Sequence, residues 1–311
     1  LDGCRLNISM DDRVKRQVKA MNKLKKNIYI EEKLSKYSWF NLGGPAEIMF
    51  KPDTIEELSE FLKKNKKKIY VLGAGSNTLI RDGGIRGVAI KLSPKFSNLR
   101  IINEKIIEVG AATLDKTLSN FAKDNSLSGF EFLSGIPGSI GGAIRMNCGC
   151  YGADISKILI SINVIDFKGK KNEIKADQID FFYRGTSLPD DLIILSAKFK
   201  GLLDSKGAIE KRQALVMEKK KKDQPSRVKT CGSTFKNPTN EKAWRLIKKS
   251  NCDKIRIGKI RISDKHCNFF INEGNGTSKD IEKLITTVKK EVFKKTGINL
   301  ELEIKIIGSS N

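Results

Sequence analysis

The chain has 311 residues, of which 39% are hydrophobic, and carries a formal net charge of +23 at pH 7. A chain of this length can form two or three modest domains, each with its own buried core. It contains no apolar run near the ~20 residues of a membrane helix, and its N-terminus lacks the layout of a signal peptide. We therefore expect a cytoplasmic protein that has no membrane-spanning segment.

The first two thirds of the chain alternate strand and helix signals. The predicted elements are, in chain order, a strand at 47–50, a helix over 54–66, strands at 69–72 and 86–92, β-rich stretches at 100–110 and 158–167 that flank a helix over 113–125, and a strand at 192–199. Apolar residues recur at helical spacing in both helices. In the second helix we expect Leu114, Leu118 and Phe121 to point into the core.

The last third begins near residue 208, where a charged helix is predicted over 209–222. Beyond it we predict helices at 241–249 and 279–295, strands near 258–262 and 268–271, and a half-buried strand with a period of two over 298–307. That period places Glu301 and Glu303 on the same face of the final strand. Spacing alone therefore does not choose between these two carboxylates.

Two glycine clusters stand out. Residues 129–152 (GFEFLSGIPGSIGGAIRMNCGCYG) contain seven glycines separated by apolar residues, which is typical of a packed turn that offers backbone N–H groups to an anion. Residues 73–77 (GAGSN) follow an apolar strand. They lack the third glycine of the dinucleotide-binding fingerprint, where Thr78 stands, and a strand follows instead of a helix. We therefore interpret residues 73–77 as an anion-binding loop between two strands.

These two segments resemble the UDP-N-acetylenolpyruvoylglucosamine reductase family, also called UDP-N-acetylmuramate dehydrogenases. Residues 73–77 match the family's G-x-GSN loop, and residues 134–152 match its S-GIPG-x-x-GGA-x-x-MN-x-G-x-YG block. The chain is similar to the shorter subclass of that family, which lacks an extra loop carrying a tyrosine contact. The likeness extends over roughly residues 36 to 308.

The resemblance implies an α+β fold with a two-lobed FAD-binding domain like that of vanillyl-alcohol oxidases (the PCMH type) and a smaller C-terminal α+β substrate domain. The implied divisions are an N-terminal extension at 1–20, FAD-binding subdomains at 21–92 and 93–205, a substrate domain at 206–304, and a tail at 305–311 that returns to the FAD domain. The implied FAD-binding residues are Gly73, Gly75, Ser76, Asn77, Ser134, Gly135, Ile136, Pro137, Gly138, Ser139, Gly141, Gly142, Ala143, Asn147 and Gly149.

Three further motifs carry the implied catalytic residues. Residues 182–186 (FYRGT) resemble the x-YR-x-S part of the motif F-x-YR-x-S, in which Arg184 matches the arginine that acts on the substrate carboxylate. Residues 231–238 (CGSTFKNP) resemble GS-x-FKNP, in which Ser233 matches the proton donor. In the L-E-x-E motif the second glutamate is catalytic, so the resemblance selects Glu303. The implied substrate-binding residues are Tyr183, Asn237 and His266, although a lone histidine beside an apolar strand is equally typical of a packed core residue.

The implied reaction is the NADPH-dependent reduction of the enolpyruvyl ether of UDP-N-acetylglucosamine to UDP-N-acetylmuramate, for peptidoglycan synthesis. The implied cofactors are FAD and NADPH, and we expect a monomer. Two alternatives remain: a basic nucleic-acid-binding protein, and another FAD-dependent oxidase that shares the flavin domain. The lysine runs lack the interleaved aromatic residues that stack bases, so we expect a solvated basic surface and no nucleic-acid partner.

The six cysteines do not form a disulfide framework in a chain of this length. Cys148 and Cys150 form a C-x-C pair, but a metal site of four ligands needs a second pair, and the chain has a single histidine. We therefore expect these two cysteines to pack as small side chains, and we expect no metal.

Overall fold

The computed structural model describes residues 27–310. The predicted N-terminal extension at 1–20 lies outside the described residues. Two lobes and a C-terminal domain surround one large cleft. In the described part of the chain no helix has both the length and the apolar character to cross a membrane.

The first lobe is a small sheet with one covering helix. Its elements are β1 (Ile28–Lys33), β2 (Pro45–Phe50), α1 (Ile55–Lys64), β3 (Ile69–Val71), β4 (Thr78–Ile80) and β5 (Ile85–Ile90). The sheet order is β1-β2-β5-β3, with β1 antiparallel to β2 and the other pairs parallel. Thr54 begins α1 by accepting a hydrogen bond from the Glu57 N–H (3.1 Å). The helix buries Leu58, Phe61 and Leu62.

The second lobe is an antiparallel sheet of order β12-β11-β15-β7-β6. Its elements are β6 (Leu99–Asn103), β7 (Ile106–Gly110), α2 (Asp115–Asp124), β8 (Leu127–Ser128), α3 (Ile140–Arg145), β9 (Gly149–Cys150), β10 (Ala153–Asp154), β11 (Leu159–Asp166), β12 (Lys171–Lys175), β13 (Phe181–Phe182), β14 (Gly185–Thr186), β15 (Leu192–Lys200) and β16 (Leu202–Leu203). The glycine cluster at 129–152 lies between α2 and the long strand β11.

The prediction that Leu114 points into the core is wrong. Leu114 is 54% exposed, because α2 begins at Asp115, after Leu114, and Asp115 points inward instead. Leu118 is fully buried, as predicted, and Phe121 packs half-buried against the same core. Asp115, and not Leu114, therefore occupies the buried position at the start of α2, which places a carboxyl group in the interior.

A long charged helix, α4 (Lys206–Asp223), follows the second lobe. It packs mainly on that lobe: Gln213 donates hydrogen bonds to the Ser119 carbonyl (3.0 Å) and hydroxyl (2.8 Å), and Arg212 donates to Glu131 (2.8 Å). Near its end, the Lys221 carbonyl accepts a hydrogen bond from Lys265 of the C-terminal domain. The predicted boundary at 206 groups this helix with the C-terminal domain, whereas in the structure the helix packs mainly on the second lobe.

The C-terminal domain comprises α5 (Ala243–Lys249), β17 (Arg256–Ile257), β18 (Ile260–Ile262), β19 (Phe270–Asn272), α6 (Ser278–Thr296) and β20 (Lys305–Ile307). Helix α6 begins with a capping box at Thr277 and ends at Gly297, whose φ of 70° is left-handed. The core of this domain also includes Phe40, Leu42 and Leu79 from the first lobe. The domain therefore packs directly on the first lobe.

The predicted continuous strand over 298–307 is only partly correct. Its buried and exposed residues alternate from Ile298 to Leu302. Glu303 departs from this pattern because it is part-buried as well, and the backbone changes partner at this point. The Lys236 N–H donates to the Glu301 carbonyl (2.8 Å) and the Glu303 N–H to the Thr234 carbonyl (2.9 Å). Strand β20 then pairs in parallel with β4 of the first lobe. The segment pairs first with residues 234–236 and then with β4, so regular strand forms only over β20.

Candidate active site

The cleft between the lobes and the C-terminal domain has a volume of about 1150 Å³. This exceeds the ~300–1,000 Å³ of most single small-molecule pockets. Its charged lining residues are the basic Lys91, Arg145, Arg184, Lys220, Arg227, Lys236 and Lys305, and the acidic Asp115, Asp190 and Glu303. The excess of positive charge suits large anionic ligands.

The two glycine loops meet in the wall of this cleft. A Cβ atom at Gly73 would lie 2.9 Å from the Ser139 hydroxyl of the second cluster. Gly75, whose φ is 73°, leaves even less room, since its Cβ would lie 1.8 Å from the Tyr37 carbonyl oxygen. Glycine at 75 permits an approach to the Tyr37 backbone that no side chain would allow, and glycine at 73 leaves room for the Ser139 hydroxyl. All the predicted FAD-binding residues except Ser134 and Asn147 line the cleft.

Ser134 and Asn147 lie behind the cleft wall. The Ser134 hydroxyl donates to the Glu131 carbonyl (2.7 Å). The Asn147 amide donates to the Phe182 carbonyl (3.3 Å) and accepts from the Ser156 N–H (3.1 Å). Asn147 thus connects the glycine block to the hairpin that carries Arg184.

Arg184 lies in the tight turn between β13 and β14, with a left-handed φ of 62°. Non-glycine residues seldom adopt this conformation, and it is found preferentially at functional sites. The Arg184 Nε donates to Glu303 Oε1 at 2.9 Å. Burial lowers the pKa of Arg184, but the adjacent Glu303 carboxylate outweighs it and leaves this pKa raised.

Glu303 reaches the cleft because its backbone is held from two sides. It pairs with Thr234 as described above, and the Asn77 amide donates to its carbonyl at 3.0 Å. Its side chain is 16% exposed, whereas that of Glu301 is 76% exposed and contacts Lys236 at 3.5 Å. Burial raises the pKa of Glu303, and Arg184 offsets only part of this effect. The geometry therefore favours Glu303 over Glu301.

Ser233 lines the same cleft, one residue before the segment that pairs with Glu303. It is fixed by a bridge to Phe269 and follows Gly232, whose φ is 77°. Within residues 27–310 the Ser233 hydroxyl makes no hydrogen bond, so it can rotate toward a ligand. Arg184, Ser233 and Glu303 come from three distant segments and line the same cleft.

The three predicted substrate-binding residues do not line the cleft itself. Tyr183 is 48% exposed, and its hydroxyl lies 3.4 Å from the Asn237 amide nitrogen. Asn237 also accepts from the Ala243 N–H at the start of α5 (3.1 Å). The His266 ring packs edge-on against Phe269 (4.8 Å between centroids), and burial lowers its pKa. Of the two interpretations of His266, the geometry favours a packed ring behind the cleft wall.

Comparison with known proteins agrees with this architecture. Residues 224–307 match the family model of the UDP-N-acetylenolpyruvoylglucosamine reductase C-terminal domain, and residues 46–174 match that of an FAD-binding domain. A UDP-N-acetylenolpyruvoylglucosamine reductase of Pelagibacter ubique is 48% identical over 294 residues, covering 93% of this chain and 97% of the relative. One of Rickettsia bellii is 46% identical and covers 88% and 92%. The chain belongs to the UDP-N-acetylenolpyruvoylglucosamine reductase family.

A solved reductase structure of this family, from Thermus caldophilus, superposes with a TM-score of 0.80 at 32% identity. It covers 90% of this chain and 97% of its own. The predicted family and the α+β fold, with an FAD-binding domain and a smaller C-terminal domain, are thereby confirmed. FAD as the cofactor is confirmed by the FAD-binding model.

Sequence reasoning did not single out several of the cleft residues. Among the lysines at 219–222, Lys220 is the one that lines the cleft, and burial lowers its pKa. Lys91 donates to the Gly73 carbonyl, and Lys236 stands beside Glu301. Lysines are common on solvated surfaces, so these carried no distinguishing signal. Asp115 was missed because the start of α2 was predicted incorrectly.

Cys148 and Cys150 also line the cleft. Burial raises the pKa of both thiols, that of Cys150 to about 11, which keeps them neutral and unreactive near pH 7. In the described ranges, histidine, cysteine, aspartate and glutamate side chains form no group of three or more that could hold a metal.

Proposed function

We propose that this chain reduces the enolpyruvyl ether of UDP-N-acetylglucosamine to UDP-N-acetylmuramate, with FAD as cofactor and NADPH as reductant, in peptidoglycan precursor synthesis. Relatives named as this reductase support the reaction. The observation that carries the proposal is the Arg184–Glu303 pair, which lines the same cleft as Ser233 and the two glycine loops.

The cleft fits FAD by its volume, its positive lining and the close contact between its glycine loops. Ser76, Gly138, Ser139 and the surrounding backbone would hold the diphosphate. The chemistry that FAD supplies when bound is hydride transfer, from NADPH to the terminal alkene carbon of the substrate. The protein must then manage the negative charge on the adjacent carbon and on the carboxylate.

Arg184 is suited to that charge because its guanidinium can bind a carboxylate through two parallel hydrogen bonds. A substrate carboxylate would compete with Glu303 for Arg184. It would also place a second negative charge near Glu303 and so raise the Glu303 pKa further. Glu303 in its protonated form then donates a hydrogen bond to the carboxylate, where the charge develops.

Ser233 completes the addition by delivering a proton to the carbon that did not receive the hydride. A hydroxyl is a weak acid, but an enolate carbon is a strong base, so the transfer is favourable. The Ser233 hydroxyl has no competing partner among the described residues. One hydride and one proton thus add across the double bond.

The test is an absorption spectrum of the purified protein, followed by NADPH oxidation with and without the enolpyruvyl nucleotide sugar. We expect a flavin spectrum and NADPH oxidation that the nucleotide sugar stimulates strongly. A colourless protein would contradict the proposal, as would turnover driven by oxygen alone with no response to the sugar.

A further inference from the structure

The Asp115 carboxyl group is fully buried, and neither of its oxygens has a hydrogen-bond partner within residues 27–310. Burying a polar group without a partner is costly, so such a group calls for an explanation. Asp115 is the first residue of α2, and its backbone N–H donates to the Gly138 carbonyl at 3.1 Å. The backbone is therefore satisfied, and only the side chain lacks a partner.

The unpartnered carboxyl lies where the two glycine loops meet. Asp115 is part of the cleft wall. A Cβ atom at Gly138 would lie 2.4 Å from Asp115 Oδ2 and 3.9 Å from the Ser76 hydroxyl. Any side chain at position 138 would block the carboxyl from the cleft. Glycine at 138 leaves room for the carboxyl at this junction, where a rotation of the Asp115 side chain would bring an oxygen to a ligand between the loops.

The surroundings favour the neutral form of this carboxyl. Burial raises the pKa of Asp115 to about 8, and the positive N-terminus of α2 opposes this rise only in part. Cys148, in the glycine cluster at 129–152, interacts electrostatically with Asp115, and burial raises the pKa of the Cys148 thiol. Lys116 on the same helix is exposed, Lys220 on α4 lines the cleft, and neither forms an ion pair with Asp115.

We propose that the neutral Asp115 carboxyl donates a hydrogen bond to a diphosphate oxygen of bound FAD. A diphosphate offers strong acceptors and carries negative charge, so it accepts from a carboxylic acid and repels a carboxylate. Asp115 is thus a cofactor-binding residue that works only while protonated. The inference rests on the FAD binding proposed above.

The test measures the dissociation constant of FAD for the apoprotein between pH 6 and pH 9.5, by quenching of flavin fluorescence. In the unaltered chain FAD affinity should be constant below about pH 8. Above it, affinity should fall by up to about tenfold per pH unit, because Asp115 must regain a proton on binding. Asp115→Asn keeps a donor that cannot ionise, so it should bind within about threefold of the original at pH 7 and lose this pH dependence.

Asp115→Leu removes the donor and should weaken FAD binding by about 10- to 100-fold, the strength of one hydrogen bond to a charged group. The same variant should raise the melting temperature of the apoprotein, since it removes an unpaired buried polar group. Opposite effects on stability and on affinity separate a binding role from a structural one. Asp124→Asn, at the exposed end of the same helix, is the matched control and should change neither quantity.

Two results would overturn the assignment. One is FAD binding by Asp115→Leu as tight as that of the original chain. The other is an unchanged pH dependence in Asp115→Asn, which would place the titrating group elsewhere, such as Lys91 or Lys220. An unaltered apoprotein that binds no FAD at all would instead contradict the proposed function, so the two failures are distinguishable.

Discussion

The two walls of the cleft are built in different ways. The wall formed by the lobes is largely backbone, in which glycines at 73, 75 and 138 let loops approach one another. The wall nearer the C-terminal domain is formed by side chains, Ser233 and Glu303, which neighbouring backbone segments hold in register. Absent side chains shape most of the proposed cofactor site, with Asp115 as the proposed exception, whereas side chains are proposed to act on the substrate. Substitutions in the two walls should therefore fail in different ways.

The largest effect should come from Ser233→Ala. Loss of a positioned proton donor should lower substrate reduction by about 10²–10⁴-fold, while reduction of the flavin by NADPH continues nearly unchanged. Rapid-mixing absorbance measurements separate the two half-reactions. Ser250→Ala removes a hydroxyl outside the cleft and should alter neither. Parallel loss of both half-reactions in the Ser233 variant would remove the distinction between the walls.

Glu303→Ala should lower turnover by about 10²–10³-fold, since it removes a donor at the developing charge. Glu301→Gln is the matched control, because Glu301 is the exposed neighbour in the same motif, and it should leave turnover unchanged. A large loss in the Glu301 variant and none in the Glu303 variant would reverse the assignment.

Glu303 also predicts a direction for the pH profile. Burial raises its pKa above the usual 4.5, so the protonated form persists to higher pH than in an ordinary glutamate. This form is lost as the pH rises through the raised pKa, so turnover should fall on the alkaline side. The residual activity of Glu303→Ala should lack that decline when the two profiles are compared.

Gly75→Ala tests the backbone wall. The new Cβ meets the Tyr37 carbonyl and forces a left-handed alanine, so stability should fall by about 2–4 kcal/mol and flavin content should drop. Gly297→Ala is the control, since Gly297 has nearly the same φ (70° against 73°) but nothing within 4 Å of its Cβ. It should lose about 1–2 kcal/mol and keep its flavin. Equal losses in urea denaturation would show that strain alone, without the clash, accounts for the effect.

The smallest effect should come from His266→Phe. The ring packs against Phe269 behind the cleft wall, and a swap of similar volume costs less than about 1.5 kcal/mol. Steady-state assays should show turnover within about threefold of the unaltered chain. A loss of tenfold or more in kcat/KM would restore the interpretation of His266 as a substrate contact.

Sequence alone predicted the elements whose local signals agree with their packing. Helix α6, predicted over 279–295 and found over Ser278–Thr296, is an example, and the glycine loops are another because glycine is costly elsewhere. Prediction from sequence failed where tertiary contacts determine which residues are buried and which strands pair. The first turn of α2 buries Asp115 instead of Leu114, and the strand after Ile298 changes partner. Arg184 and Glu303 are 119 residues apart, so their meeting could be inferred only by resemblance.

The most direct measurement of the central claim uses enzyme whose flavin has been reduced by one equivalent of NADPH in the absence of oxygen. Addition of the enolpyruvyl nucleotide sugar should restore the visible absorbance of oxidised flavin and yield one equivalent of UDP-N-acetylmuramate. Addition of UDP-N-acetylglucosamine, which lacks the alkene, should restore nothing. Flavin that stays bleached with the enolpyruvyl compound would contradict the proposal that one cleft brings flavin and substrate together.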